Sequence, residues 1–379
     1  MFAYLDSAAT TAVCPEAIDA AVAAMREGYG NPSARYPMAS AATKQLTADR
    51  EVIAAALGCK KNELIFTSCG TESDNWALRL GCAKNRRVGN HIITTAIEHS
   101  AILETCHALE KEGWEVTYLM PNAAGSIDLD ELGAALRPDT ALVSMMLVNN
   151  ELGTVLPVKE ACAIVKQFNR KILFHTDAVQ AFMKVPFTPA SLGVDLLSLS
   201  GHKVHAPKGI GAMYIRSGVA LKPMITGGGQ ENGLRSGTEA TSQIAAFAAA
   251  VKAGKASMRQ DIAHMESLKS HVLEQLPNYV PEIERIGEGN APHILALTLP
   301  DYKAEVLVRV LGDMGVCVSA GSACHRGKPS HVYAAMGLDK PRREGVFRVS
   351  FDGSTTLEEV DYFLECLKKA KGMLFPSMS

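Results

Sequence analysis

The stretch richest in chemistry is Ser198-Leu-Ser-Gly-His-Lys-Val-His-Ala-Pro-Lys-Gly-Ile-Gly211, which carries Lys203 on a glycine-bounded loop. The apolar run Val194 to Leu199 leads in as a buried strand, and Gly209 to Ile215 leads out as another. A lysine held between two core elements is partly desolvated, which lowers its proton affinity and makes the amine a usable nucleophile. That is the requirement for a Schiff base with an aldehyde cofactor such as pyridoxal phosphate. The plainer alternative is a solvated loop lysine, like Lys208.

Cys324 is the second reactive candidate. It lies in Ala320-Gly-Ser-Ala-Cys-His-Arg-Gly-Lys-Pro329, a glycine- and serine-bounded loop with His325, Arg326 and Lys328 beside it. Positive neighbours lower a thiol's pKa and a loop gives it reach, so this cysteine reads as nucleophilic. The other eight of the nine cysteines form no C-x-x-C pair, which disfavours a disulfide framework or a zinc site. They read as reduced, buried small hydrophobes.

The elements that must position these groups alternate. Strands are expected at Leu64 to Thr67, His91 to Thr95, Glu115 to Leu119, Ala141 to Val148 and Ile172 to His175, with helices of 10 to 15 residues interleaved. That alternation predicts βαβ units and a mostly parallel sheet, whose catalytic groups gather at the carboxyl ends of the strands. His99, Asn149-Asn150-Glu151 and Asp177 each follow a predicted strand and so share one rim. After Thr67, Ser68-Cys-Gly-Thr-Glu-Ser73 runs into a helix; free N–H groups and the helix dipole there would seat a phosphate, and Thr71 or Ser73 closing its own helix is compatible with that. Asp177 and Gln180 fall on one side of a helical turn. An aspartate facing a pyridinium nitrogen keeps that ring protonated; an ordinary helix-entry aspartate is the alternative.

Other segments carry weaker signals. Asn31, in Gly28-Tyr-Gly-Asn-Pro32, is by type a turn former. Gly227 to Thr238 is glycine-rich and reads as a functional loop or an interface. Ser242 to Leu276 is a long alanine-rich helix, either continuous or broken near Gly254. Beyond it come a strand at Ile294 to Leu299, a helix at Lys303 to Met314, strands at Val316 to Ser319 and Phe347 to Ser350, and a closing helix from Leu357 to Lys371. Arg348, on an otherwise apolar strand, invites a carboxylate, either a ligand's or one of the chain's own.

With 379 residues, the chain exceeds what one hydrophobic core fills, so a large domain plus a smaller one is expected. The expected division is an N-terminal arm at 1–14 packing with the small domain, a large domain at 15–255, and a small domain at 256–379 carrying the Cys324 loop. A charged share of 21% and a net charge of −2 leave no basic stripe for nucleic acid. No run approaches the ~18 apolar residues a bilayer span needs, and no basic, then apolar leader opens the sequence. A cytoplasmic, small-molecule enzyme is the expectation.

Taken in order, the motifs resemble those of the pyridoxal-phosphate cysteine desulfurases of the nitrogen-fixation and iron-sulfur-assembly type, in the class V aminotransferase group. They are Tyr4-Leu-Asp-Ser-Ala-Ala-Thr-Thr11, Gly30-Asn-Pro-Ser33, Phe66-Thr-Ser-Cys-Gly-Thr-Glu-Ser73, Glu98-His-Ser-Ala-Ile-Leu103, Asn149-Asn-Glu-Leu-Gly153, His175-Thr-Asp-Ala-Val-Gln180, Ser200-Gly-His-Lys203, Arg235-Ser-Gly-Thr238 and Gly321-Ser-Ala-Cys324. The resemblance implies the fold type I transferase architecture: a large α/β domain with a mostly parallel, seven-stranded sheet between helices, plus a smaller α+β domain.

It also implies roles. Lys203 would be the Schiff-base lysine, Asp177 the pyridine-nitrogen partner and His99 the imidazole stacked on the ring. Gln180 would bond the ring's phenolic oxygen, with Asn150 nearby. Gly70, Thr71, Ser200 and His202 would hold the phosphate, with Thr238 reaching in from the other subunit of a homodimer. Asn31 and Arg348 would hold the substrate carboxylate. Cys324 would take the sulfur of L-cysteine, leaving L-alanine and a persulfide destined for a sulfur-acceptor or iron-sulfur scaffold protein. No resident metal is implied beyond a transient iron-sulfur contact through Cys324. The chain departs from the family pattern at Cys69, Asp74 and Ala206, and its segment after Cys324 is short. A selenocysteine lyase or another class V aminotransferase shares Lys203 but does not require Cys324. A non-catalytic thiol or metal-binding protein would need paired ligand spacing that the sequence lacks.

Overall fold

The computed structural model describes residues 1–321 and 330–376. Strand β1 is the short Ala3–Tyr4. Strands β2 (Leu64–Thr67), β3 (His91–Thr95), β4 (Glu115–Leu119), β5 (Thr140–Ser144), β6 (Leu173–Asp177), β7 (Leu196–Ser200) and β8 (Gly211–Ile215) form one seven-stranded sheet in the order β2-β8-β7-β6-β5-β3-β4. From β7 to β4 all neighbours run parallel, while β8 is antiparallel to both β7 and β2. Parallel neighbours need a crossover of a dozen or more residues; β7 and β8 are joined by residues 201–210 alone, which enforces reversal and makes the Lys203 loop a direct turn between two core strands.

Side-chain alternation splits the sheet into two faces. Leu64, Phe66, Ile93, Val143, Phe174 and Leu197 enter one buried cluster, and their neighbours Ile65, Ile92, Leu142, Leu173 and Leu196 enter another that also holds Trp76. Six strands are buried along their whole length; β4 at the sheet edge is not, and exposed Glu115 stands at its start.

The strand predicted at 141–148 stops at Ser144, and that at 172–175 runs on to Asp177. Beyond Ser144 the chain still bonds the neighbouring strand through Met145 and Leu147 N–H, but no longer as a regular ladder. Gly58 caps the helix Pro37–Leu57 in the left-handed region at φ 79°, where glycine carries no Cβ penalty.

No break occurs near Gly254: Thr241–Tyr279 is one helix of 39 residues. Its first turns bury Ile244, Phe247 and Val251 in the core cluster on one face of the large sheet, packed on the helices Pro15–Arg26 and Pro37–Leu57, and its later turns bury Met265, Leu268 and Val272 in a separate cluster. Packing on both sides of the glycine outweighs its weak propensity, roughly 1 kcal/mol against alanine.

That separate cluster surrounds a three-stranded antiparallel sheet, with β10 (Ile294–Thr298) between β9 (Glu284–Arg285) and β12 (Val346–Ser350). β1 pairs in parallel with β11 (Val316–Cys317), so the N-terminal arm joins this part of the molecule. Asp6 bridges to Ser350 in the same part, and the arm then crosses to the loop after β7, where Thr11 N–H donates to the His202 carbonyl at 3.0 Å. No helix among the described residues is long and apolar enough to cross a membrane.

Candidate active site

A cavity of about 230 Å³ opens at the carboxyl ends of the parallel strands. Its walls include Gly70, Thr71, His99, Asn150, Asp177, Gln180, Ser200, His202, Lys203 and Arg348, ten of the residues singled out from the sequence. Each arrives by its own route. Gly70 and Thr71 open the helix Gly70–Asn85 directly after β2. His99 is the N-cap of Ser100–Lys111, its Nδ1 accepting from Ala101 N–H at 3.1 Å, which fixes the ring by its own helix. Asp177 is the last residue of β6 rather than the first beyond it, and its Oδ1 accepts from Val179 N–H at 2.8 Å. Lys203 ends the short helical turn after β7.

The N-terminal arm closes the cavity. Lys203 Nζ donates to the carbonyls of Ala8 and Ala9 at 2.7 and 2.8 Å, and Gln180 Nε2 donates to that of Ala8 at 2.9 Å. Arg348 is 2% exposed and is paired within the chain: Nη2 meets Asp6 Oδ1 at 2.7 Å and Nη1 donates to the Asn150 carbonyl at 2.7 Å. Its Nε is buried without a hydrogen-bond partner among the described residues.

Burial governs the titration of the walls. It holds the Asp177 carboxyl up at about 6, against the lowering effect of the Val179 N–H and of Lys203. It pushes Glu98, which receives Met146 N–H and the Thr95 hydroxyl behind the cavity, up to about 8. It lowers His202 to about 4, with Lys203 and Lys208 adding to the effect, so this imidazole is neutral at pH 7. Asp74 also lines the cavity and is held well above the usual carboxylate range by burial and by Asp177.

The walls fit a flat, phosphorylated aldehyde. Ser200 Oγ and Gln180 Oε1 are buried without partners among the described residues and available to a ligand. A Cβ added at Gly70 would come within 2.8 Å of Val179 Cγ2, so the cradle at the helix N-terminus admits only a bare backbone there. An amine and a buried carboxylate sit in the same cavity.

Two expected residues lie elsewhere. Asn31 closes its own turn, accepting from Ser33 N–H at 2.9 Å, and Thr238 is exposed; neither lines the cavity of this single chain. Cys324 lies outside the described residues. Sequence reasoning assigned no site role to Asp6, Asp74 or the arm carbonyls. Asp6 stood inside the Tyr4-Leu-Asp motif and Asp74 was a departure from the family pattern, so both carried a signal; a backbone carbonyl carries none.

Over residues 3–363 the chain matches the family Aminotransferase class-V, and it belongs to that family. Within it, the relatives matched along most of their length are cysteine desulfurases. The chain is 39% identical to Cysteine desulfurase IscS of Clostridium botulinum (strain Kyoto / Type A2), over 97% of this chain and 93% of that protein. It is 40% identical to Cysteine desulfurase of Trichormus azollae, over 96% and 91%. Among solved structures it is similar to a NifS-like protein with a TM-score of 0.93 at 38% identity, covering 99% of this chain and 100% of that one. A structure described as SspA in complex with cysteine gives a TM-score of 0.81 at 34% identity, covering 93% and 100%.

Proposed function

We propose that the chain is a pyridoxal-phosphate-dependent cysteine desulfurase, a cytoplasmic homodimer that converts L-cysteine to L-alanine and carries the sulfur as a Cys324 persulfide to an acceptor such as an iron-sulfur scaffold protein. The observation that carries this reading is the meeting of Lys203, Asp177, His99, the Gly70–Thr71 helix start and Arg348 around one cavity. Pyridoxal phosphate, when bound, supplies a carbonyl carbon for amine capture and a ring that takes up electron density from the substrate's α-carbon.

The chain's residues would divide the work. Lys203 Nζ would hold the aldehyde carbon and, once released, move the α-proton. The Asp177 carboxylate would hold a proton at the ring nitrogen, and the charge it meets there would offset the burial that raises its own pKa. Backbone N–H groups of Gly70 and Thr71, with Ser200 Oγ and His202, would hold the phosphate. His99 would cover one face of the ring, Gln180 would meet its phenolic oxygen with Asn150 beside it, and Arg348 would pair with the substrate carboxylate. Asn31, and Thr238 from the other subunit, would complete the site in the dimer. The Cys324 thiolate would attack the substrate sulfur: the C–S bond breaks, an S–S bond forms, and the carbon takes the electron pair and a proton. This role for Cys324 rests on the sequence resemblance alone.

The test is purified protein supplied with pyridoxal phosphate and L-cysteine. One alanine should appear per sulfur released, and Cys324→Ser should keep the visible band while losing persulfide. Full sulfur transfer by Cys324→Ser would overturn the assignment of the thiol. A colourless protein carrying stoichiometric metal would overturn the enzyme reading altogether.

A further inference from the structure

The family motifs assign no task to Asp6, yet the fold goes to some length to hold it. Leu5 carbonyl accepts from Ser350 N–H at 2.8 Å, Ala8 N–H donates to Ser350 Oγ at 2.9 Å, and Ser7 Oγ donates to Asp352 Oδ2 at 2.8 Å. Residues 5–8 are therefore clamped along the end of β12, and the bridge between Asp6 and Ser350 sets Asp6 beside Arg348, two residues earlier on that strand. The two side chains are 19% and 2% exposed. A guanidinium buried this far without a counter-charge would be strongly destabilising, and five donors in a rigid plane give it several ways to turn. Asp6 takes Nη2, the Asn150 carbonyl takes Nη1, and Nε is left without a partner among the described residues, on a side chain that lines the cavity.

From this geometry we infer that Asp6 is a positioning residue for recognition of the substrate carboxylate: it holds one edge of Arg348 and so fixes the plane of the guanidinium in the cavity wall before the substrate arrives. The inference rests on Arg348 being the carboxylate partner, as proposed above. It has two consequences. Arg348 is already charge-neutralised before a substrate arrives, so affinity comes from donor geometry more than from net attraction. Selectivity for amino acids over amines is then set in part by a residue that never touches the substrate.

The experiment uses the full chain loaded with pyridoxal phosphate and follows the visible band while titrating 2-methylalanine, which has a carboxylate but no α-proton, and cysteamine, which has no carboxylate. Asp6→Ala should weaken 2-methylalanine by about tenfold or more, the scale of one lost charge-assisted hydrogen bond, and leave cysteamine within about twofold. Asp6→Asn keeps an acceptor oxygen for Nη2 and should restore most of the loss. If Asp6→Ala does not fold, Asp6→Glu, which moves the oxygens by one methylene, should give the same selective weakening. Unchanged or tighter 2-methylalanine binding, or equal weakening of both ligands, overturns the inference. Arg348→Gln separates the two layers: if it binds 2-methylalanine normally, the carboxylate reading of Arg348 falls and takes this inference with it.

Discussion

His175 Nε2 lies 3.7 Å from Asp74 Oδ1, both side chains shut away from solvent. The contact has the separation of an ion pair but is not one. Burial pushes the imidazole down to about 3, and its nitrogens are bonded to the hydroxyls of Ser144 and Ser198 at 2.9 and 3.0 Å. Asp74 is thus left without a neutralising cation among the described residues, in the cavity whose wall it shares with Asp177. Two carboxylates in one low-dielectric wall form a place where a positively charged ring nitrogen lowers the energy of its surroundings.

That arrangement gives a stability prediction for the cofactor-free protein. Asp177 has a folded pKa raised above its unfolded value, so the native state holds its proton longer, and stability falls as pH rises from about 4 to about 6 and stays lower above that. Asp177→Asn should therefore stabilise the fold at pH 8 by an amount on the order of 1 to 3 kcal/mol, read as a higher melting temperature, and lose most of that gain at pH 4. The same substitution should abolish turnover. A melting curve that does not respond to it at pH 8 would show that the buried charge is already compensated.

Lys203 should be indispensable and its neighbour dispensable. Lys203→Ala is expected to lose the visible band of the bound cofactor and to slow alanine release by roughly a thousandfold or more. Lys208→Ala should change neither. Borohydride reduction followed by peptide mapping should mark Lys203 alone.

The cradle at Gly70 is open to a double-mutant test. Gly70→Ala puts a methyl 2.8 Å from Val179 Cγ2 and should cut cofactor affinity by about tenfold or more. Val179→Ala removes the colliding methyl and should recover much of the loss in the double variant, read by equilibrium dialysis of pyridoxal phosphate.

Gly81 answers to packing alone. It lies on the buried face of the helix Gly70–Asn85, where an added Cβ would come within 2.6 Å of Leu142 Cδ1. Gly81→Ala should cost about 1 to 3 kcal/mol in urea unfolding, because the helix must lift from the sheet. Cofactor stoichiometry of the folded fraction should be unchanged.

What could be read in advance was whatever is local. Strands β2, β3 and β4 fall where continuous apolar or β-branched runs put them, and Gly58 ends its helix as its type demands. The gathering of His99, Asn150 and Asp177 at one rim followed from strand-helix alternation, since parallel strands all end on the same side. Illegible were pairings whose partners are far apart in sequence: Asp6 with Arg348, Lys203 with Ala8, Arg50 with Glu231. Residue type says only that each needs a partner, and spacing says nothing of which. The unbroken helix at Gly254 is the same lesson seen from the other side, because tertiary packing along its length overrode a local preference.

The arm that closes the cavity has a bearing on how the molecule comes into being. Residues 6–8 find their partners at 348, 350 and 352, so this segment has to wait for one made 342 to 345 residues later before it can settle. Until that late strand emerges, Asp6 and the Ala8 N–H have nowhere to dock along β12, and the wall beside Lys203 is not fixed in place. A nascent chain halted before residue 348 would own a finished large sheet and still be unable to present a complete catalytic chamber.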